Sequence, residues 1–163
     1  MESKYILIGE LHGTKESPEA CFEILKKHKV KQLALEFQKK EQCEIDDYFK
    51  GKKRVEELSI FQREDNHDGR ASKAIMDLIK KAKAKDIKIL LVDDWSDITR
   101  RDEAMANNLK LIKGPVAYYC GEVHASKKSI SFPEFNGKSQ KINTCGSFLP
   151  EKETISYRIV SIE

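Results

Sequence analysis

Four short apolar runs, separated by helix-like stretches, are the feature that most constrains how this chain folds. They span 5–9 (YILIG), 32–37 (QLALEF), 87–94 (IKILLVDD) and 115–121 (PVAYYCG). Runs of this length that are apolar on both faces are typical of buried strands in a parallel sheet. Because helix-like segments connect them, the pattern predicts an α/β fold, with a mainly parallel β-sheet flanked by helices on both faces.

The connecting segments carry helix start signals and apolar stripes. Ser17 is expected to be the N-cap of the first helix, with Pro18 at the first helical position and Glu19 in the first turn. This helix is expected to end near His28. Further helices are predicted over 71–85, over 100–112 and, as one or two short helices, within 41–62.

The end of the chain departs from this alternation. Residues 125–140 are polar and are predicted to form a loop, 141–149 can hold a short strand, and 154–162 is a final strand. We expect these last two strands to pair as a hairpin, so that a C-terminal strand pair extends the sheet. No linker or low-complexity stretch divides the chain, which predicts a single α/β domain over 1–163.

Composition excludes several classes of protein. Thirty basic and 27 acidic residues are mixed along the chain and give a net charge of +3, so no basic stripe predicts a nucleic-acid partner. No apolar run is long enough to predict a membrane span, and the first residues do not resemble a signal peptide. The four cysteines are widely spaced and are expected to be reduced thiols, which predicts a cytoplasmic protein.

Polar side chains stand where each of the four predicted strands ends. In an open α/β sheet, ligands bind at the carboxyl ends of the strands, so these residues mark a candidate site. Residues i and i+2 of an extended segment project to the same side, so each Gly-Glu-x-His motif is expected to direct its acid and its histidine at one point. The strand-end residues are Glu10 and His12, Glu36, Asp93 and Asp94, and Glu122 and His124.

Three further segments reach the same edge of the predicted sheet. Arg101 lies at the start of the helix after the third strand, where its charge can neutralise the clustered carboxylates or hold a charged substrate group. Asp68 and Arg70 precede another helix and are candidate pocket residues, with a capped turn as the alternative. Trp95, the sole tryptophan, is expected to pack rather than to bind.

Four motifs in order carry a resemblance to a known superfamily. They are GELHG (9–13), LALEF (33–37), RDEAMA (101–106) and GEVH (121–124), and GSFL (146–149) is similar to the tail of the same group. The chain thus resembles the superfamily that joins erythromycin-esterase-like hydrolases, Tiki and TraB proteins, and ChaN-like haem-binding proteins. Without long helical insertions or an anchor, it resembles a minimal single-domain member.

The resemblance implies an active site and a choice of activities. Its catalytic pattern falls on Glu10, His12, Glu36, Arg101 and His124, and Glu122 matches it more loosely. From their places at the edge of the predicted sheet, substrate contacts are expected from Glu122, Asp68, Arg70 and Asp93. The activities found among its members are macrolide ester hydrolysis, metal-dependent peptide hydrolysis and haem binding.

The first hypothesis is a hydrolase that cleaves an ester or amide bond in a small molecule or peptide. His12, oriented by Glu10 or Glu36, fits the role of general base towards water. His124 is placed to polarise the substrate or to protonate the leaving group, and Arg101 to stabilise developing negative charge. The oligomeric state does not follow from the sequence.

The alternative is a haem- or small-ligand-binding protein of the ChaN-like type without catalysis. Histidine is a common axial ligand of haem iron, and Phe132, Phe135 and Phe148 are candidates for the apolar face that haem needs.

Metal dependence is a further open question. His12, Glu36 and His124 make a possible three-ligand set that suits manganese or zinc. Arg101 argues against a metal, because a guanidinium and a cation compete for the same carboxylates.

Overall fold

A five-stranded parallel sheet with helices on both faces forms the centre of the molecule, which confirms the predicted fold class. The computed structural model describes residues 3–63, 69–133 and 139–160. The strand order across the sheet is β3-β2-β4-β1-β7. Its strands are β1 (Tyr5–Glu10), β2 (Gln32–Gln38), β3 (Lys88–Asp93), β4 (Val116–Gly121) and β7 (Thr154–Arg158).

Burial on both faces explains why the central strands β1 and β4 have almost no polar residues. All six residues of β1 are buried, because β4 and β7 pair with its two edges and helices cover both of its faces. β4 lies between β1 and β2 and buries Val116 through Cys120. The two strands that carry the Gly-Glu-x-His motifs are therefore direct neighbours, in register from Tyr5 beside Val116 to Glu10 beside Gly121.

The helices divide between two hydrophobic cores. Those following β1 and β2 pack on one face through side chains such as Leu25 and Ile79, and those following β3 and β4 pack on the other through side chains such as Met105 and Ala125. Their bounds are α1 (Glu16–His28), α2 (Gln42–Phe49), α3 (Ser59–Gln62), α4 (Lys73–Ala84), α5 (Arg101–Lys110) and α6 (Glu122–Ala125).

The start of α1 differs from the prediction. The helix begins at Glu16, so Ser17 lies inside its first turn and is not the N-cap. Its hydroxyl is buried and accepts a hydrogen bond from Thr14. The sequence signal was misleading because Ser17 uses its side chain to join the preceding loop to the helix.

Helix α4 has a serine N-cap, with the Ser72 hydroxyl accepting a hydrogen bond from the Ile75 amide at 3.3 Å.

The C-terminal part also differs from the expected hairpin. A separate antiparallel pair forms from β5 (Ile130–Pro133) and β6 (Ser139–Ile142), in a region that was predicted to be mostly loop. β7 then extends the large sheet alone, parallel to β1. A parallel strand needs a crossover connection, and the chain between β4 and β7 supplies it. This connection contains α6, the β5–β6 pair and two 3-10 turns, Cys145–Phe148 and Glu151–Glu153. In the described parts of the chain, no helix combines the length and apolar character that crossing a bilayer requires.

Candidate active site

The carboxyl ends of β1, β2 and β3 bring three acids into the interior at one edge of the sheet, with β4 between β1 and β2. Glu10 ends β1, Glu36 lies near the end of β2 and Asp93 ends β3; their exposed fractions are 4%, 3% and 1%. Buried carboxylates are costly unless hydrogen bonds or opposite charges compensate them. The partners of these acids therefore define the site.

Glu36 lies at the centre of the cluster. Its Oε2 accepts a hydrogen bond from the backbone amide of Gly121 at 2.8 Å. Its Oε1 lies 2.7 Å from Nη2 of Arg101 and 3.0 Å from Nη1 of Arg70. Two guanidinium groups and one amide thus compensate this carboxylate, and through it β2 is tied to β4 and to both arginines.

Arg101 binds Asp93 in a bidentate manner. Its Nε donates to Oδ1 at 2.8 Å and its Nη2 to Oδ2 at 2.6 Å, in the planar fork geometry that favours arginine over lysine. Burial disfavours the charge of Arg101, but the hydrogen bonds and charges of Asp93 and Glu36 outweigh it and raise the pKa of Arg101. The guanidinium therefore remains a cation across all working pH values.

His12 is oriented by Glu10, one of the two acids that the sequence left open for this role. Its Nδ1 lies 2.7 Å from Oε1 of Glu10, and its Nε2 faces Oε2 of Glu36 at 3.8 Å. The other oxygen of Glu10 accepts a hydrogen bond from the hydroxyl of Tyr119. Burial and the neighbouring Glu10 charge raise the pKa of Tyr119, so the phenol stays protonated and donates this bond.

His124 has a matching arrangement with a different acid. Its Nδ1 lies 2.7 Å from Oδ1 of Asp102, in the first turn of α5, and its Nε2 faces Oε1 of Glu36 at 3.4 Å. Burial alone would lower the pKa of His124, but the hydrogen bond to Asp102 and the charges of Glu36 and Asp102 raise it above its ordinary value. Asp102 is itself held by the amide of Cys145 at 2.6 Å.

The two Gly-Glu-x-His motifs therefore deliver their histidines to one centre, but by different geometry. After Gly121 the chain forms the helical turn α6, so Glu122 and His124 do not project to the same side as they would in a strand. Glu122 turns away and accepts from Nε of Arg158 at 2.6 Å. The expectation that Glu122 lines the site was wrong, and Asp102 takes the place next to His124.

The remaining site residues of the sequence analysis have different outcomes. Arg70 joins the cluster through the side chain of Glu36 and also donates to the Glu36 carbonyl at 3.3 Å. Asp68 lies outside the described residues. Asp102 and Tyr119 were not singled out in the sequence, although Asp102 directly follows Arg101 and Tyr119 lies two residues before Gly121 in the same strand.

Trp95 does not pack in the interior as expected. Its Nε1 donates to Oδ2 of Asp93 at 2.8 Å, and its ring centroid lies 5.7 Å from the guanidinium carbon of Arg101. The residue is nevertheless 49% exposed. The indole thus stands beside the charged cluster with part of its ring in solvent.

The donor set does not fit a metal ion. Among the described residues, no group of three or more metal-ligating side chains is arranged to hold one. The physical reason lies at Glu36, whose two oxygens already accept hydrogen bonds from Arg101 and Gly121. Arg101 supplies the positive charge that a cation would bring, so the predicted set of His12, Glu36 and His124 is not a ligand set here.

The arrangement does not fit haem either. The Nε2 atoms of His12 and His124 face the carboxylate of Glu36 and not an apolar surface. Phe148 packs against the core, Phe132 lies exposed on β5, and Phe135 is outside the described residues.

No protein-family model matches the sequence, and no curated protein matches it. Two solved structures share the fold. One, described as "Bacterial protein toxins", is 17% identical to this chain with a TM-score of 0.59. The match spans 97% of this chain and 34% of the other chain. The other, the type III effector HopBA1, is 16% identical to this chain with a TM-score of 0.51, and the match spans 76% of this chain and 69% of the other. The chain therefore spans about a third of the first structure, and at these identities the likeness shows the fold alone.

Proposed function

We propose that the protein is a hydrolase that cleaves an ester or amide bond in a small molecule or peptide. The observation that carries this proposal is the pair of imidazoles, each oriented through Nδ1 by a carboxylate at 2.7 Å and each facing Glu36 through Nε2. An orienting carboxylate fixes the tautomer and position of a histidine and prepares it for proton transfer.

His12 is assigned the role of general base. When its Nδ1–H donates to Glu10, its Nε2 keeps the lone pair that accepts a proton from water. Glu10 is buried and held by Tyr119, so the imidazole is positioned before substrate arrives. His12 remains partly exposed at the edge of the sheet, where a water molecule can reach it.

His124 is assigned the role of general acid. Its raised pKa keeps a larger fraction of the imidazole protonated near neutral pH than an ordinary histidine has. A protonated His124 can donate to the leaving oxygen or nitrogen as the bond breaks. The two histidines thus have complementary roles because Asp102 and Glu36 act on His124.

Arg101 and Arg70 set the electrostatics of the site. Without them, Glu36 and Asp93 would repel the negative charge that develops on the substrate oxygen in the transition state. Both arginines lie within 4 Å of these two carboxylates and compensate them. Preorganised positive charge in a partly buried site is an effective way to stabilise such an oxyanion.

We also propose that the resemblance to the superfamily of erythromycin-esterase-like, Tiki, TraB and ChaN-like proteins reflects common descent. The support is that GELHG, LALEF, RDEAMA and GEVH supply His12, Glu36, Arg101 and His124 to one cluster. A cytoplasmic location belongs to the same proposal, with the free thiols of Cys21, Cys120 and Cys145 buried in the cores as its support.

The test is the His12→Ala variant assayed with a panel of model aryl esters, alkyl esters and peptides. We expect turnover to be lost while the melting temperature stays within a few degrees of the wild type. His28→Ala is the matched control, because His28 is bonded to Tyr157 at the other end of α1 and is not in the site. Turnover that survives in His12→Ala, or is lost equally in His28→Ala, would contradict the assignment of the base.

A further inference from the structure

An open hollow of about 760 Å³ lies next to the catalytic cluster, where β2 and β3 end. This is within the size range of pockets that bind small molecules. Its lining includes Asp93, the carboxylate that holds Arg101, and Trp95, which also binds Asp93. One buried side chain therefore connects the wall of the hollow to the site. We call it the Trp95 hollow.

The indole of Trp95 is fixed in position but not covered. Its N–H is bonded to buried Asp93 and the ring lies against the guanidinium of Arg101, so two contacts hold its orientation. About half of the residue still faces solvent. A large aromatic ring whose polar atom is satisfied and whose orientation is fixed forms a platform on which another planar group can stack at low entropic cost.

The opposite side of the hollow is positively charged. Lys39 and Lys40 line it, in the short turn that follows β2. Lys39 donates to the amide oxygen of Asn108, which is a neutral partner, and its charge also helps to lower the pKa of Asp94. Asp93 is compensated by Arg101, so Asp94 is the acid of the lining that opposes the two lysines. This balance favours an anionic group over a cationic one.

We propose that the Trp95 hollow binds a planar aromatic group that carries a negative charge, as the part of the substrate adjacent to the bond that is cleaved. The indole stacks on the ring, and the ammonium groups of Lys39 and Lys40 attract the anionic substituent. The statement that this ligand is part of a substrate rests on the proposed hydrolase function. The binding itself does not.

The chain contains one tryptophan, so its ¹H–¹⁵N spectrum holds a single indole signal that reports on this hollow. The probe is 2-naphthoate, with cyclohexanecarboxylate as the non-aromatic anion and 2-naphthylmethanol as the uncharged aromatic. We expect a saturable shift of the indole signal with 2-naphthoate. Cyclohexanecarboxylate should bind at least about tenfold more weakly, since stacking on an aromatic side chain is worth about that much. 2-Naphthylmethanol should also bind more weakly, because it lacks the negative charge that Lys39 and Lys40 attract. No saturable shift at millimolar 2-naphthoate, or equal binding of either comparison compound, would overturn the proposal.

Variants at Trp95 separate the ring from its hydrogen bond. Binding of 2-naphthoate, measured by isothermal titration, should weaken at least about tenfold in Trp95→Leu, because the stacking surface is lost. Trp95→Phe keeps a ring but loses the donor to Asp93, and should retain most of the affinity. Equal binding by wild type and Trp95→Leu would contradict the inference.

Charge is tested with Lys39→Gln/Lys40→Gln, which should bind 2-naphthoate more weakly. The matched control is Lys113→Gln, an exposed lysine that precedes β4 at the opposite edge of the sheet. Equal weakening by the control would refute the assigned role of the two lysines.

A last comparison separates this inference from the hydrolase proposal. His12→Ala should bind 2-naphthoate as wild type does, although it should have no turnover. If the wild type binds 2-naphthoate but turns over no substrate, the hydrolase proposal alone is refuted. If it turns over model esters but does not bind 2-naphthoate, the proposed ligand binding in the Trp95 hollow alone is refuted.

Discussion

His124 illustrates how a single residue acquires its chemistry from neighbours distant in the sequence. Its pKa is raised because Asp102 and Glu36 together outweigh the burial of the ring. Neither acid lies in the motif that contains the histidine. Asp102 is also fixed by the Cys145 amide, so its carboxylate is held in place before it meets the imidazole.

Asp102→Asn should lower the pKa of His124 towards or below its ordinary value of 6.5. The amide can still accept from Cys145, but the negative charge that favours the imidazolium is gone. A general acid works only while protonated, so the alkaline limb of the kcat/KM profile should move to lower pH. An NMR titration of the His124 ring checks the pKa directly. Glu103→Gln is the matched control, since Glu103 binds exposed Arg100; an unchanged pH profile in Asp102→Asn would contradict the role of His124.

The contact between His124 and Asp102 also predicts how the free energy of unfolding depends on pH. A raised folded-state pKa gives a contribution that is fully present below the unfolded pKa of about 6.5 and is lost as pH rises through the folded pKa. Urea denaturation should therefore show the largest stability difference between wild type and Asp102→Asn under acidic conditions, with a smaller difference at alkaline pH. A difference that grows with pH would contradict this assignment.

At the level of elements, the position of α6 depends on Gly9 in β1. A Cβ at Gly9 would lie 2.9 Å from Cβ of Ala125 and 2.9 Å from Cα of Glu122, closer than real contacts allow. The absence of a side chain therefore lets this helical turn pack directly on the strand. Because His124 belongs to α6, the glycine of the first motif positions the histidine of the second.

Gly9→Ala should push α6 away from β1 and destabilise the fold by about 1–3 kcal/mol, the usual cost of overpacking a close contact. Turnover should fall as well, since His124 moves from Glu36. Urea denaturation and the hydrolase assay measure the two effects. The control is Gly51→Asn, at an exposed position with φ +76° and open space around it. Asn tolerates this left-handed backbone better than most residues, and no neighbour is displaced, so we expect a cost below about 1 kcal/mol. Wild-type stability in Gly9→Ala would refute the close-packing argument.

At the level of the whole molecule, the charged cluster serves stability as well as chemistry. Arg101 joins β2 to β3 through Glu36 and Asp93, and it comes from α5 on one face of the sheet. Removal of one partner from a buried ion network leaves the others uncompensated, which costs far more than loss of an exposed pair. Stability therefore depends on the same guanidinium to which the proposed mechanism assigns charge stabilisation.

Arg101→Met should destabilise the protein by about 3–5 kcal/mol, because buried Asp93 loses its bidentate partner and buried Glu36 loses one of its two guanidinium partners. Arg158→Met removes the exposed ion pair with Glu122 and should cost no more than about 1 kcal/mol. Denaturant unfolding of both variants at neutral pH provides the comparison. Similar losses of unfolding free energy in the two variants would show that the buried network does not stabilise the protein more than an exposed ion pair does.

The sequence by itself determined the strands of the large sheet, the main helices and the edge of the sheet where the candidate site lies. Strand burial and helix periodicity are properties of short segments, and the order of βαβ units places every strand end at one edge. His12 could be paired with Glu10 correctly because the two residues are neighbours and their spacing alone directs them to one point.

Only the tertiary structure decided the partners that come from distant segments. The i, i+2 argument failed for Glu122 because the chain becomes helical after Gly121, and Asp102 then reaches His124 through the packing of α5. β7 likewise could pair in a hairpin or beside β1, and its own pattern is the same in either case. Such choices depend on how elements pack against one another, which is a property of the assembled fold and not of any local segment.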